Sequence, residues 1–392
     1  MAGRIHLRGT CWDHPRGRDP LVGTVDAYRA LAPDVSVEWT ARSLQAFADE
    51  SVVDLATRYD LLVIDHPFVG EVSATGALLP LDTLLPADVL EDQARNSVGP
   101  SHRSYTWAGH QWALAVDAAA QVSAHRPDLV AALGMEPPGT WDEMLELADR
   151  ARADGRWIAW PFIPIDAVMS FLSLLANAGS PMADDGRPPD REAAAAALDL
   201  LARLLGRAHP KSADWNPPKT LDAMSSGDDI VASPMLFGYS NYARPGFRPY
   251  RIRFAGIPSA GHGRVGGILG GAGIAISAAC AEPEAAAAYV AWLTSGPVQA
   301  GEYVRAGGQP GHRAAWLDPS ANEVAGGFFG DTLVAMDAAY LRPRTPGMMA
   351  FQDEAGRLIR RTITEGAPHD ACLDTLERLA ATTLGSGGAG HG

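Results

Sequence analysis

Two Asp-His-Pro triplets, Asp13-His14-Pro15 and Asp65-His66-Pro67, are the residues of this chain best suited to chemistry. Aspartate offers acceptors and histidine a donor whose tautomer adjusts to its partner, so each pair suits the hydroxyls of a sugar-like molecule. The proline after each histidine fixes the backbone and holds the residue before it extended. Arg16 follows the first triplet with a planar fork that matches a carboxylate, sulfonate or phosphate. Trp12 and Phe68 flank the triplets, and an aromatic ring is a platform for the apolar C–H face of a sugar. Each pair also has a purely structural reading: the aspartate caps the next helix and the histidine bonds a backbone carbonyl. An enzymatic alternative uses the same side chains. His14 and His66 would exchange protons with a sugar-like substrate while Asp13 and Asp65 orient them, as in an isomerase, epimerase or dehydratase.

Other segments are candidates by position. Trp160 and Phe162 precede Asp166, and Phe237-Gly238-Tyr239-Ser240-Asn241-Tyr242 supplies further rings and an amide. In the glycine-rich run from Gly266 to Gly273 no Gly-Lys-Ser/Thr follows and no G-x-G-x-x-G fits, so the expectation is close backbone approach at Gly271 rather than a phosphate cradle. Gln309 lies in a Gly-Gly-Gln-Pro turn near an expected hinge. No H-E-x-x-H or similar spacing occurs, and no metal or cofactor is expected. Cys11, Cys280 and Cys372 are widely separated and odd in number, and read as small buried hydrophobes. His102, His110, His262 and His369 fall in predicted loops and are expected to be solvated.

The elements that must position these residues alternate. Arg4 to Gly9 reads as a strand, Leu21 to Leu31 as a helix and Val35 to Trp39 as a second strand. Ser43 to Tyr59 reads as a helix with Leu44, Phe47, Val52 and Leu55 on its apolar side. Asp60 to Ile64 is a continuous apolar run of the kind buried on both faces. This order predicts an α/β fold with a parallel sheet covered by helices, whose ligands gather at the carboxyl ends of the strands. Thr140-Trp141-Asp142-Glu143 is a capping box, and Asp190 caps an Ala-rich helix that Gly206 can stop. Phe254 to Pro258 and Gly273 to Ser277 read as strands returning to the first sheet, and the Gly-rich tail 385–392 as disordered.

Length and charge narrow the function classes. A chain of 392 residues exceeds what one core usually serves, so two domains are expected. With 32 basic against 46 acidic side chains the net charge is −14, and no basic cluster offers itself to nucleic acid. No run approaches the ~18–20 apolar residues of a membrane helix, so no membrane insertion is expected.

The longer phrases resemble the family 1 extracellular solute-binding proteins, the carbohydrate-binding subunits of bacterial ABC importers. The resemblance is carried by Asp60-Leu61-Leu62-Val63-Ile64-Asp65 with its sequel EVSATGALLPLD, by Trp112 to Arg126 followed by Pro127-Asp128-Leu129, by GMEPPGTWDE at 134–143, by Asn177 to Leu205, by Arg342-Pro343-Arg344-Thr345-Pro346 and by Glu365-Gly366. It implies a two-lobed periplasmic-binding-protein fold of type II with a ligand cleft at the hinge. The lobes would be residues 1–114 with 255–309 and 115–254 with 310–384. The implied function is binding of a sugar or sugar-like solute, and the implied partner is an ABC permease if the chain is exported. Contacts would come from Trp12, Asp13, His14, Arg16, Asp65, His66 and Phe68 in the first lobe and from Trp160, Asp166, Phe237, Tyr239 and Asn241 in the second. The chain departs from the family in carrying neither a secretory h-region after Met1 nor a lipobox cysteine. As it stands that points to the cytoplasm, or to an extracytoplasmic site if a leader has been removed.

Overall fold

A computed structural model of the chain describes residues 4–384 apart from 45, 47–49, 184–186, 188 and 261–265. The principal strands are β1 (Ile5–Trp12), β2 (Val35–Arg42), β3 (Leu61–Ile64), β4 (Leu114–His125), β5 (Trp157–Ile158), β6 (Ile230–Phe237), β7 (Arg253–Ala255) and β8 (Leu269–Ile276). Two compact units result: Met1–Ala119 with Gly270–Gly330, and Ala120–Leu269 with Asp331–Gly392.

In the first unit β1 lies parallel to β2, with Ile5 opposite Val35, and parallel to β3, with Thr10 opposite Leu62. β8 pairs antiparallel with β3, Ile274 opposite Val63. All four residues of β3 are buried, as a strand covered on both faces must be. Alternate side chains point to opposite faces. Leu61 and Val63 therefore join Leu7, Leu21, Ile274 and Tyr289 on one side, while Leu62 and Ile64 join Val52, Leu55 and Tyr105 on the other. Each fully buried aliphatic side chain contributes about 1.5–3 kcal/mol, so the short strand anchors two cores at once. The helix α1 (Pro15–Gly23) follows β1 and is stopped at Thr24, whose hydroxyl donates to Pro20 O at 2.8 Å and Leu21 O at 3.1 Å.

The second unit is built on the far half of β4. It pairs antiparallel with β6, Gln121 opposite Phe237, and with β7, Ala124 opposite Phe254. β5 runs parallel to β6. The helix α2 (Pro164–Asn177) is buried at every residue from Asp166 onward. It packs beside α3 (Met348–Glu365) so closely that a side chain at Gly356 would overlap the carbonyl oxygen of Pro164. The capping box forms as expected: Glu143 N donates to Thr140 Oγ1 at 3.3 Å and Thr140 N to Glu143 Oε2 at 3.0 Å. Asp190 Oδ2 likewise accepts from Ala193 N at 2.9 Å.

Several sequence expectations are corrected. The segment around Phe254 pairs with Ser123–His125 rather than with β1–β3, because the antiparallel register of β7 follows the far half of β4. The expected helix 21–31 is two helices broken at Thr24, and within Ser43–Tyr59 a helix spans Val52–Ala56, capped by Ser51. Phe47, His262 and the tail 385–392 lie outside the described residues. No helix among the described residues is long and apolar enough to cross a membrane.

One long-range polar contact ties the first unit together. Arg16, at the start of α1, donates from Nε to Asp117 Oδ1 at 2.8 Å and from Nη2 to Asp117 Oδ2, and both side chains are buried. Removing one member of such a pair leaves an uncompensated charge in the interior. The Asp117→Ala variant is expected to lose about 3–5 kcal/mol of stability, measured by urea unfolding, whereas alanine at the exposed Asp13–Arg18 pair should cost no more than about 1 kcal/mol.

Candidate functional site

β1 and β3 are hydrogen-bonded parallel neighbours, and two steps beyond the Thr10–Leu62 pair their last residues, Trp12 and Ile64, come level. Asp13 and Asp65 therefore leave the sheet together at one edge, where adjacent strands are about 4.8 Å apart. Each then begins a turn of helix. His14 is the N-cap of α1, its Nδ1 accepting from Arg16 N at 3.0 Å. Asp65 caps the 3₁₀ turn His66–Phe68, Oδ1 accepting from His66 N at 2.8 Å and lying 3.2 Å from His66 Nδ1. The structural reading of the triplets is thus realised in part, by His14 before α1 and by Asp65 before the 3₁₀ turn. Asp13 is exposed, His14, Asp65 and Phe68 are half-buried, and His66 is closed off from solvent beneath Tyr105, its ring edge-on at 6.3 Å.

Other first-unit candidates are committed to the fold. The guanidinium of Arg16, expected as an anion fork, is taken by Asp117. Trp12 is core, its ring lying where a side chain at Gly17 would have to go. Gln309 is fully buried, its amide donating to Ala118 O at 2.8 Å while Ala118 N returns a bond to Gln309 O. Gly271 has φ +99°, and a Cβ there would meet Asp117 O at 2.5 Å. The approach of two strands is enough to require glycine there. Cys11 is inert as well, since burial pushes its thiol up to about 12.

The second unit repeats the arrangement. β5 and β6 are parallel, so Trp160–Asp166 and Phe237–Asn241 both follow carboxyl ends. Trp160 is fully buried in the core, tilted against Phe162 at 4.7 Å, so it is packing rather than a stacking platform. Tyr239 and Asn241 are nearly buried on the turn after β6, and Phe237 is half-buried.

The most informative feature was hidden in an apolar run. In PIDAVMSFLSLLAN the polar residues Asp166, Ser170, Ser173 and Asn177 recur at helical spacing along one stripe of α2. Three of them have protein partners. Ser170 Oγ accepts from Trp160 Nε1 at 3.2 Å and Gln121 Nε2 at 3.5 Å. Ser173 Oγ donates to Gln121 Oε1 at 2.6 Å and accepts from Ile268 N at 2.9 Å, and Asn177 Oδ1 accepts from Trp141 Nε1 at 2.9 Å. Asp166 is 2% exposed, and among the described residues its Oδ2 has no hydrogen-bond partner. Gln121 pairs with Phe237, which sets Ser170 level with the end of β6. Asp166 stands one turn, about 5.4 Å, nearer the start of α2. Burial holds its carboxyl up at about 8.

Among the loop histidines, His110 pairs with Asp82 at 2.9 Å and His369 with Asp199 at 2.7 Å, and burial lowers His102 below its ordinary value. Among the described residues no group of three or more His, Cys, Asp or Glu is placed to hold a metal ion.

A carboxyl whose pKa is raised on folding favours the fold below its unfolded value near 3.8, and that contribution drains away as pH rises through about 8. Asp166→Asn should therefore gain stability relative to the parent between pH 4 and 8 and level off above it. Thermal unfolding across that range checks this, and a flat difference would place a partner on the carboxyl.

With this geometry in hand, comparison with known proteins is direct. Residues 15–300 match the family described as bacterial extracellular solute-binding protein. The maltotriose-binding protein of Pyrococcus abyssi is 26% identical over 156 residues, 39% of this chain and 32% of that protein. The chain thus aligns with about a third of that curated relative. MalE3 of T. maritima, solved with maltose bound, superposes with a TM-score of 0.81 at 20% identity, covering 96% of this chain and 99% of the other. A solute-binding protein of Agrobacterium radiobacter K84 in complex with ribitol gives 0.81 at 19% identity, covering 97% and 99%. At those identities the likeness establishes the fold, the two-lobed type II periplasmic-binding-protein architecture.

Proposed function

The chain belongs to the bacterial extracellular solute-binding protein family, and we propose that it binds a small polar solute, a sugar or polyol, as the substrate-binding component of an ABC importer. The observation that carries this reading is the placement of hydrogen-bonding side chains at carboxyl ends of parallel strands in each unit: Asp13 and Asp65 in one, Asp166, Tyr239 and Asn241 in the other. Crevices outside such strand ends are where α/β sheets take their ligands. Carboxylates, an amide and a phenol suit the alternating donors and acceptors of a polyhydroxy compound. The maltose and ribitol held by proteins of this fold are in keeping with it. An importer's binding component meets its solute outside the cytoplasmic membrane, so the same reading assigns the chain there and gives it a permease as partner.

The acid–base alternative fares less well on this geometry. His14 has one ring nitrogen engaged in capping α1, and His66 is closed off from solvent. Neither placement suits a group that must exchange protons with a substrate.

The test is a proton NMR time course of the protein with maltose, ribitol, mannitol and related sugars and sugar acids. Selective broadening of one compound that stays intact for hours is the expected result. New resonances growing at the expense of one compound would make the chain an enzyme, and silence from all would remove the carbohydrate class. For a solute so identified, Asp65→Ala should weaken binding by about 1–3 kcal/mol, or roughly 5- to 150-fold, by calorimetry. Unchanged affinity would take Asp65 out of the site.

A further inference from the structure

Asp166 goes beyond a general taste for hydroxyls. Of the buried aspartates, Asp117 is paired with Arg16, and Asp60 accepts from Arg8 N at 2.8 Å with Arg8 Nε 3.6 Å away. Asp166 has no such cation among the described residues. Among the described residues, α3, the helix Arg191–Leu205 and β6 pack most closely on α2, and Gln121 of β4 and Trp141 also bond to it. The charged residues of α3 and of the helix Arg191–Leu205 lie on their outer faces, where Arg360 pairs with Asp214 at 3.0 Å, and β6 carries none. The guanidinium of Arg342, which reaches α2, lies on Met169 Sδ at 2.6 Å rather than on the carboxyl. Burial is accordingly the cause of the raised Asp166 carboxyl, with no charged group contributing.

A buried carboxylate without a cation is costly, so this carboxyl stays protonated in the free protein, and a ligand that brings a cation lets it ionise. Ser170, Ser173 and Asn177 show that α2 satisfies its polar stripe with protein wherever protein suffices. The exception falls at the strand-end edge, beside Phe237–Asn241. The net charge of −14 adds a field that gathers cations.

We infer that Asp166 is a specificity-determining residue for a solute carrying a protonated amine, an amino sugar or aminopolyol whose ammonium group occupies the unpartnered side of its carboxylate. The inference rests on the solute-binding reading above. Charge-assisted bonds between an ammonium group and a carboxylate are the strong ones.

The experiment is calorimetric titration of the full chain at pH 7 with D-glucamine and, separately, D-sorbitol, which differ by an amine in place of one hydroxyl. Glucamine is expected to bind at least about tenfold more tightly than sorbitol. It should also release close to one proton, read from the dependence of the heat on buffer ionisation enthalpy, because the carboxyl that is protonated in the free protein must ionise to meet the ammonium. Asp166→Asn, nearly the same in shape, should abolish the proton release and remove the preference for glucamine over sorbitol. The proton count is made on the parent protein and so does not depend on how the variant folds. Equal binding of the two compounds with no proton released would overturn the amine assignment and leave the polyol reading standing. Failure of both to bind would remove the polyol frame and the amine assignment with it.

Discussion

Taking a carboxylate out of water costs several kcal/mol unless a cation or several donors come with it. This chain buries a carboxyl at a central place in each of its units, and the two are handled in opposite ways. Asp117 receives the bidentate fork of Arg16 from 101 positions earlier in the chain, which fixes the first turn of α1 against β4 and with it the exit of Asp13 and His14 from β1. Asp166 receives nothing comparable among the described residues. The first arrangement is structural, and the second is the one to which the proposal above assigns a ligand.

The positioning of the remaining candidates follows from the parallel winding. Because β1 and β3 run the same way and end level, Asp13 and Asp65 share an edge without any contact having to arrange it. Because β5 and β6 run the same way, the turn carrying Tyr239 and Asn241 and the first turn of α2 share another. Binding chemistry at such edges demands only that the loops be polar, while the strands beneath them stay apolar and buried. β3, with two cores on its two faces, shows the division at its sharpest.

Much of this was legible in the residues. The continuous apolar run at 61–64, the capping box at Thr140 and the cap at Asp190 are local signals with local causes, and each forms as read. The family phrases are equally local and led to the right fold. What could not be read was long-range pairing. Nothing near Arg16 announces that Asp117 will consume its fork, and nothing near Gln309 announces that its amide belongs to Ala118. Trp160 looked like a platform because an aromatic beside a polar turn has the same composition whether it faces a ligand or a core. The one strand assigned to the wrong partner, around Phe254, and the break at Thr24 have the same origin: register and hydroxyl back-bonding are settled by partners far away or by a single side chain. The polar stripe on α2 left a signal that the sequence reading passed over, a helical period of four polar residues in an otherwise apolar run.

The central claim is that the strand-end loops hold the solute. Hydrogen–deuterium exchange of the free protein and of the protein saturated with the compound that it binds tests this directly. The account predicts slowed exchange at residues 13–18, at 65–69 and at 237–242, together with the first turn of α2. Protection that left those loops unchanged and appeared instead around the apolar cavity lined by Phe171, Leu172, Phe351 and Leu376 would contradict it.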